Sequence, residues 1–144
     1  MDAMTETAAP MKVAGDRNLL IVEDDKLFLQ RLARAMEARG FAVRTAESVS
    51  DGLREVEASP PTFAVVDMRL GDGNGLDVIS ALKQRKPDAR GIVLTGYGNI
   101  ATAVTAVKLG AFDYLSKPAD ADEVVAALLA TGESKAAPPE NPMS

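Results

Sequence analysis

Phe63-Ala64-Val65-Val66-Asp67-Met68-Arg69-Leu70-Gly71-Asp72-Gly73-Asn74-Gly75 is the stretch on which the fold turns. An unbroken apolar run that stops at a carboxylate and passes into a glycine-rich turn reads as a buried parallel strand. Such a strand delivers its acid to the carboxyl edge of a sheet, where open α/β sheets bind their ligands. A lone acid at a strand end also commonly does no more than cap a turn. The reading of Asp67 as chemistry therefore depends on what the rest of the chain brings to that edge.

On the N-terminal side, Asn18-Leu19-Leu20-Ile21-Val22 predicts a first buried strand that runs directly into Glu23-Asp24-Asp25. Apolar residues at Leu27, Leu29, Leu32, Ala33 and Met36 then follow helical spacing over 26–39, and Gly40 is the expected stop. A second strand is predicted over 41–45. Ser48, with Asp51 three residues on, opens a helix to about Ala58 in the manner of a capping box. On the C-terminal side a helix is predicted over 75–85, ended by Pro87. Gly91-Ile92-Val93-Leu94-Thr95 reads as a fourth strand, with a loop at Gly96-Tyr97-Gly98, Asn99 as N-cap and a helix to Leu109. A fifth strand covers 112–116, Lys117-Pro118 turns, and Asp120 with Glu123 caps a last helix to about Thr131. Five strands alternating with five helices over short connections specify a doubly wound α/β fold. In the flavodoxin-like strand order 2-1-3-4-5, the first and third strands are central neighbours at the switch point. Residues 1–17 read as a disordered leader, 18–131 as one domain, and 132–144, with Pro138, Pro139 and Pro142, as a linker.

The composition narrows the chemistry. The chain of 144 residues is long enough for one core and is 47% hydrophobic with only 4% aromatics, so the interior must be mainly Val, Leu, Ile and Ala. There is no cysteine and no histidine, which removes disulfides, thiolate sites, imidazole bases and the usual zinc ligands. Any metal should then be a hard cation held by oxygen. A formal net charge of −5 with scattered Lys and Arg argues against nucleic-acid binding by this segment. No apolar run approaches a membrane span and no signal pattern opens the chain, so a soluble, cytoplasmic domain is expected.

At the switch point, Glu23, Asp24 and Asp67 would converge, and clustered carboxylates repel one another unless a divalent cation joins them. Magnesium suits a few protein oxygens together with water and phosphate. Lys117 leaves the fifth strand at the same edge, where an ammonium can neutralise a transferring phosphoryl group, and Thr95 offers a hydroxyl from the fourth. These are the parts needed to form an aspartyl phosphate.

In this order, Glu23-Asp24, Asp67, Thr95, Tyr114 and Lys117-Pro118 resemble the receiver domain of a bacterial two-component response regulator over about 18–131. The resemblance implies that Asp67 accepts phosphate from a sensor histidine kinase and that Mg2+ is held by Glu23, Asp24, Asp67 and the Arg69 backbone carbonyl. It further implies that Lys117 contacts the phosphoryl group, that Thr95 and Tyr114 form a switch pair, and that the Lys117-Pro118 bond is cis. Glu23 departs by one methylene from the more frequent Asp, at a position that often reaches the metal through water. Asp25 is read as the start of the first helix and given no ligand role. The loop Leu94-Thr95-Gly96-Tyr97-Gly98-Asn99-Ile100 and the ending Pro138-Pro139-Glu140-Asn141-Pro142-Met143-Ser144 are similar to the proteobacterial redox-responding regulators of the RegA/PrrA/ActR group. That likeness implies a Fis-type helix-turn-helix module beyond Ser144, so DNA would be reached only through it. The expected function is that of a phosphoacceptor signalling domain of a transcriptional regulator, not an enzyme in the ordinary sense. Apolar residues around the fourth helix (Ile100, Ala101, Ala103, Val104, Ala106, Val107) and the fifth (Val124 to Leu129) predict a homodimer enhanced by phosphorylation. Two other readings compete. A haloacid-dehalogenase-like phosphatase uses the same parts but carries its nucleophile after the first strand in an Asp-x-Asp pattern. A flavin-binding module would need a hydroxyl-rich first loop where acids stand here.

Overall fold

The computed structural model describes residues 16–96 and 100–130. In chain order the elements are β1 (Asn18–Val22), α1 (Lys26–Ala38), β2 (Ala42–Ala46), α2 (Val49–Ala58), β3 (Phe63–Asp67), β4 (Arg69–Leu70), β5 (Gly73–Asn74), α3 (Leu76–Arg85), β6 (Arg90–Thr95), α4 (Ile100–Lys108), β7 (Asp113–Ser116) and α5 (Ala121–Leu129). The main sheet is parallel with order β2-β1-β3-β6-β7. With the two-residue strands β4 and β5 left out of the count, this is the expected order 2-1-3-4-5.

Both faces of the sheet are covered, and this is why its central strands are apolar without alternation. Leu20, Val22, Ala64, Val66 and Val93 lie in a core with Val49 and Val56 of α2, Val78, Ile79 and Leu82 of α3 and Ala106 of α4. Leu19, Ile21, Phe63, Val65, Ile92 and Leu94 pack on the opposite face with Leu29, Leu32 and Met36 of α1 and Val124 and Leu128 of α5. Register matters because Val22 pairs with Val66, so the residues that follow, Glu23 and Asp67, emerge together. Among the described residues, no helix is long and apolar enough to cross a membrane.

The helix starts follow the predicted signals. Asp25 Oδ1 accepts from the Phe28 N–H (3.1 Å) and Ser48 Oγ from the Asp51 N–H (3.0 Å), while Asp120 and Glu123 form a full capping box. Each cap of this kind contributes about 1 kcal/mol. Gly40, at φ +96°, closes α1 in the left-handed region. The Lys117-Pro118 bond is cis.

Two local expectations are corrected. Leu27 does not belong to the buried stripe of α1: it is 63% exposed, and the half-buried Phe28 beside it packs on the core instead. The glycine turn after Asp67 is not a plain turn either, since β4 and β5 pair as an antiparallel ribbon (Arg69 with Asn74, Leu70 with Gly73). At the chain's start, Asp16 and Arg17, assigned to the leader, are held in place. Asp16 Oδ1 accepts from Thr62 Oγ1 (2.6 Å), and Arg17 stacks over the Phe41 ring. The leader over 1–15, the linker over 132–144, the loop residues Tyr97 and Gly98 and the Asn99 cap lie outside the described residues.

Gly75 shows how tightly the ribbon returns to the sheet. Its backbone is ordinary right-handed helix (φ −60°, ψ −17°), so conformational freedom is not what requires glycine there. A Cβ at that position would stand 2.1 Å from the Asp67 carbonyl oxygen and 2.7 Å from Val66 Cγ1. Gly75→Ala should therefore displace the end of β3 and cost about 1–3 kcal/mol, the usual range for overpacking. Urea denaturation of the two proteins measures this, and an unchanged midpoint would show that the turn yields freely.

Candidate functional site

The site is assembled from strand ends at the carboxyl edge. Glu23 follows β1 directly and is fully buried, its N–H bonded to the Ala46 carbonyl of β2 (3.0 Å). Glu23 Oε2 accepts from the Asp25 N–H (3.0 Å). Asp67 ends β3 at 6% exposure, and its Oδ1 accepts from the Arg69 N–H (3.2 Å). Asp24 is exposed between them. One carboxylate oxygen from each of Glu23, Asp24 and Asp67 lies within 4.8 Å of the others.

Lys117 reaches this cluster from the end of β7. Its backbone N–H donates to the Thr95 carbonyl (2.8 Å), and Nζ donates to Glu23 Oε1 and Asp67 Oδ2, each at 3.1 Å. The ammonium also sits 5.4 Å from the centre of the Phe28 ring. Burial lowers the Lys117 pKa, but the two carboxylate bonds outweigh it and leave the group above its ordinary value. Burial pushes Glu23 up to about 7, with the neighbouring Asp67 charge adding to the effect and the Asp25 amide and Lys117 opposing it. The site thus has more carboxylate than one ammonium can neutralise. Oxygen donors alone, clustered and partly buried, fit a hard divalent cation.

Thr95 ends β6 and is 3% exposed. Strand alternation sets it on the same face as Val93, the neighbour of Tyr114 in β7, and Tyr114 packs half-buried against the core that includes Ala106 of α4. All the residues singled out beforehand therefore lie at one edge or immediately beside it. Arg69 is present through its backbone, its side chain being exposed, and Asp25 serves as the α1 cap. Phe28 beside Lys117 was not foreseen, although an aromatic in the first turn after the acidic loop is the available signal. Asp72 was also missed: its carboxylate accepts from Val49 N–H (2.8 Å) and Ser50 N–H (3.1 Å), a link across the fold that no local pattern announces.

The comparisons with known proteins agree with this geometry. Residues 19–129 match the response regulator receiver domain family. The chain is 61% identical over 141 residues to the acid tolerance regulatory protein ActR of Sinorhizobium medicae (strain WSM419), covering 98% of this chain and 73% of ActR. It is 64% identical over 133 residues to the photosynthetic apparatus regulatory protein RegA of Cereibacter sphaeroides, covering 92% of this chain and 72% of RegA. Among solved structures, a response regulator protein from Burkholderia pseudomallei with a phosphorylated aspartic acid, calcium ion and citrate superposes with a TM-score of 0.75 at 46% identity, over 80% of this chain and 68% of that one. With the parallel sheet, the acidic edge and the family match in agreement, the chain belongs to the response regulator receiver domains.

Proposed function

We propose that this domain accepts a phosphoryl group onto Asp67 from a phosphohistidine of a sensor histidine kinase, and that the modification switches the output of a transcriptional regulator. The observation that carries the reading is the single ammonium of Lys117 bridging two buried carboxylates, Glu23 and Asp67, at the sheet edge. In the transfer, an Asp67 carboxylate oxygen attacks phosphorus, the P–N bond breaks, and its electron pair stays with the partner's imidazole. Lys117 is placed to neutralise charge on the incoming phosphoryl oxygens. Glu23, Asp24, Asp67 and the Arg69 carbonyl are the groups that would hold Mg2+, which supplies further charge neutralisation when bound. The protein contributes the acceptor, its orientation and its preorganised charges, and so acts as a signalling domain.

Thr95 and Tyr114 are the proposed switch. A phosphoryl oxygen on Asp67 offers Thr95 Oγ1 a new acceptor, and drawing the hydroxyl inward frees space into which the Tyr114 ring can turn. The output is self-association through α4, β7 and α5. Val104 and Leu109 support that face, because both are large apolar side chains exposed on or just after α4. The relatives ActR and RegA are longer than this chain, and we place contact with DNA in a helix-turn-helix module beyond Ser144 rather than in this acidic domain. The cytoplasm is proposed as the location.

Incubation with MgCl2 and a small phosphodonor should add one phosphoryl mass to the protein, and Asp67→Asn should abolish it. Asp24→Asn should weaken Mg2+ binding. Undiminished labelling of the Asp67 variant would refute the acceptor assignment. Thr95→Ala should still be phosphorylated but should lose the response of the output face, read as a Tyr114 ring signal by NMR; identical responses of variant and wild type would remove Thr95 from the switch. Sedimentation with beryllofluoride, at tens of micromolar as an estimated range for weak regulated association, should show dimer where the untreated protein is monomer. An unchanged monomer would reduce the apolar face to part of the fold.

A further inference from the structure

Between Asp67 and α3 the chain forms the β4–β5 ribbon, whose turn is Gly71-Asp72. The ribbon is fastened at two points. Leu70 is buried in the same core as Val49 and Leu76. Asp72, at the tip, uses both carboxylate oxygens on the first turn of α2, Oδ1 on Val49 N–H at 2.8 Å and Oδ2 on Ser50 N–H at 3.1 Å. These amides have no partner within their own helix, and the positive end of the helix dipole favours an anion there. The two bonds, Val49's the stronger, hold the Asp72 carboxyl below the ordinary carboxylate range.

Helix α2 already has its own cap in Ser48 Oγ, so what Asp72 adds is mainly a hold on the ribbon. That helix is a firm post: a Cβ on Gly52 would stand only 3.1 Å from Val78 Cγ2 and 3.2 Å from Val22 Cγ2, the residue before Glu23. The ribbon begins at Arg69, whose N–H donates to Asp67 Oδ1, and it passes beside Asp24, where a Cβ on Gly71 would lie 3.8 Å from Oδ2. We propose that Asp72 is a positioning residue: by tying the ribbon's turn to α2 it holds the Arg69 backbone against the carboxylate cluster and thereby sets the affinity for a divalent cation. This rests on the proposed reading of Glu23, Asp24, Asp67 and the Arg69 carbonyl as the groups that hold that cation.

Calorimetric titration of the 144-residue chain with MgCl2 alone, at fixed ionic strength, tests the proposal without reference to phosphorylation. Asp72→Ala should raise the Kd about tenfold, the lower end for an outer-shell partner. Asp72→Asn, which keeps one acceptor oxygen, should raise it measurably but less. Ser48→Ala, which weakens the same helix start without touching the ribbon, should leave the Kd unchanged. An Asp72→Ala protein that binds like wild type overturns the proposal. Equal losses in the Ala and Asn variants would assign the effect to charge alone, and an equal loss in Ser48→Ala would assign it to helix stability; either result also overturns it. Should Asp72→Ala fail to fold by circular dichroism, Asp72→Asn decides, and an unchanged Kd there is the negative result. Wild type that binds no Mg2+, or Asp24→Asn that binds like wild type, would instead sink the underlying site reading.

Discussion

One ammonium stands between two buried carboxylates, and the architecture can be understood as the means of putting it there. Lys117 is separated by 94 residues from Glu23 and by 50 from Asp67, yet its Nζ is 3.1 Å from each. Removing carboxylates from water is expensive unless they are paired and hydrogen-bonded. Here each receives an amide as well as the ammonium, Glu23 from Asp25 and Asp67 from Arg69. The compensation is incomplete, and the rise of Glu23 to about 7 expresses the remainder. A site left short of positive charge in this way is suited to a partner that brings it.

Nothing local could bring these groups together, because each belongs to the end of a different strand. Parallel strands need crossovers, and the crossovers supply the helices that bury both faces of the sheet. Full burial of a Val, Leu or Ile side chain is worth about 1.5–3 kcal/mol, and β1 and β3 are fully or nearly fully buried along most of their length. That apolar burial fixes the register in which Val22 pairs with Val66. A slip of one residue would turn every strand side chain to the opposite face and would separate the acids as well. The core and the polar edge are therefore specified by the same pairing.

Legibility in the sequence followed the range of the interaction. The strands were readable because a parallel sheet demands continuous apolar runs, and the Ser48 and Asp120 caps because donor and acceptor are three residues apart. Glu23, Asp24, Asp67, Thr95, Tyr114 and Lys117 were legible as a motif, each marking a strand or its end. The ribbon was not, since Gly71 and Gly73 carry no side chain to set a period and each of its strands is two residues long. Leu27 falls on roughly the opposite side of α1 from the buried Leu29, Leu32 and Met36, whereas Phe28, four residues before Leu32, shares their face and packs on the core. Asp72 binds backbone amides more than twenty residues earlier, and an acid in a glycine-rich turn looks the same whether or not it does so.

The backbone around Asp67 is itself closed into a circuit. Gly75 N–H donates to the Met68 carbonyl (2.8 Å), Met68 N–H to the Leu94 carbonyl (2.9 Å), and Lys117 N–H to the Thr95 carbonyl (2.8 Å). Asp67 and Lys117 are thus each anchored within a residue or two of the end of β6, and their side chains close the loop through the 3.1 Å ion pair. In such a frame the main chain on either side of Asp67 has little freedom to move, because buried backbone bonds are costly to leave unmade. Freedom to rearrange at this edge lies with the side chains that can exchange partners. Lys117 has two carboxylates competing for one ammonium, and buried Thr95 ends the strand whose carbonyl holds the Lys117 backbone. The same bonds that fix Asp67 and Lys117 therefore tie the acidic edge to the ends of β6 and β7, the paired strands on which Thr95 and Tyr114 stand.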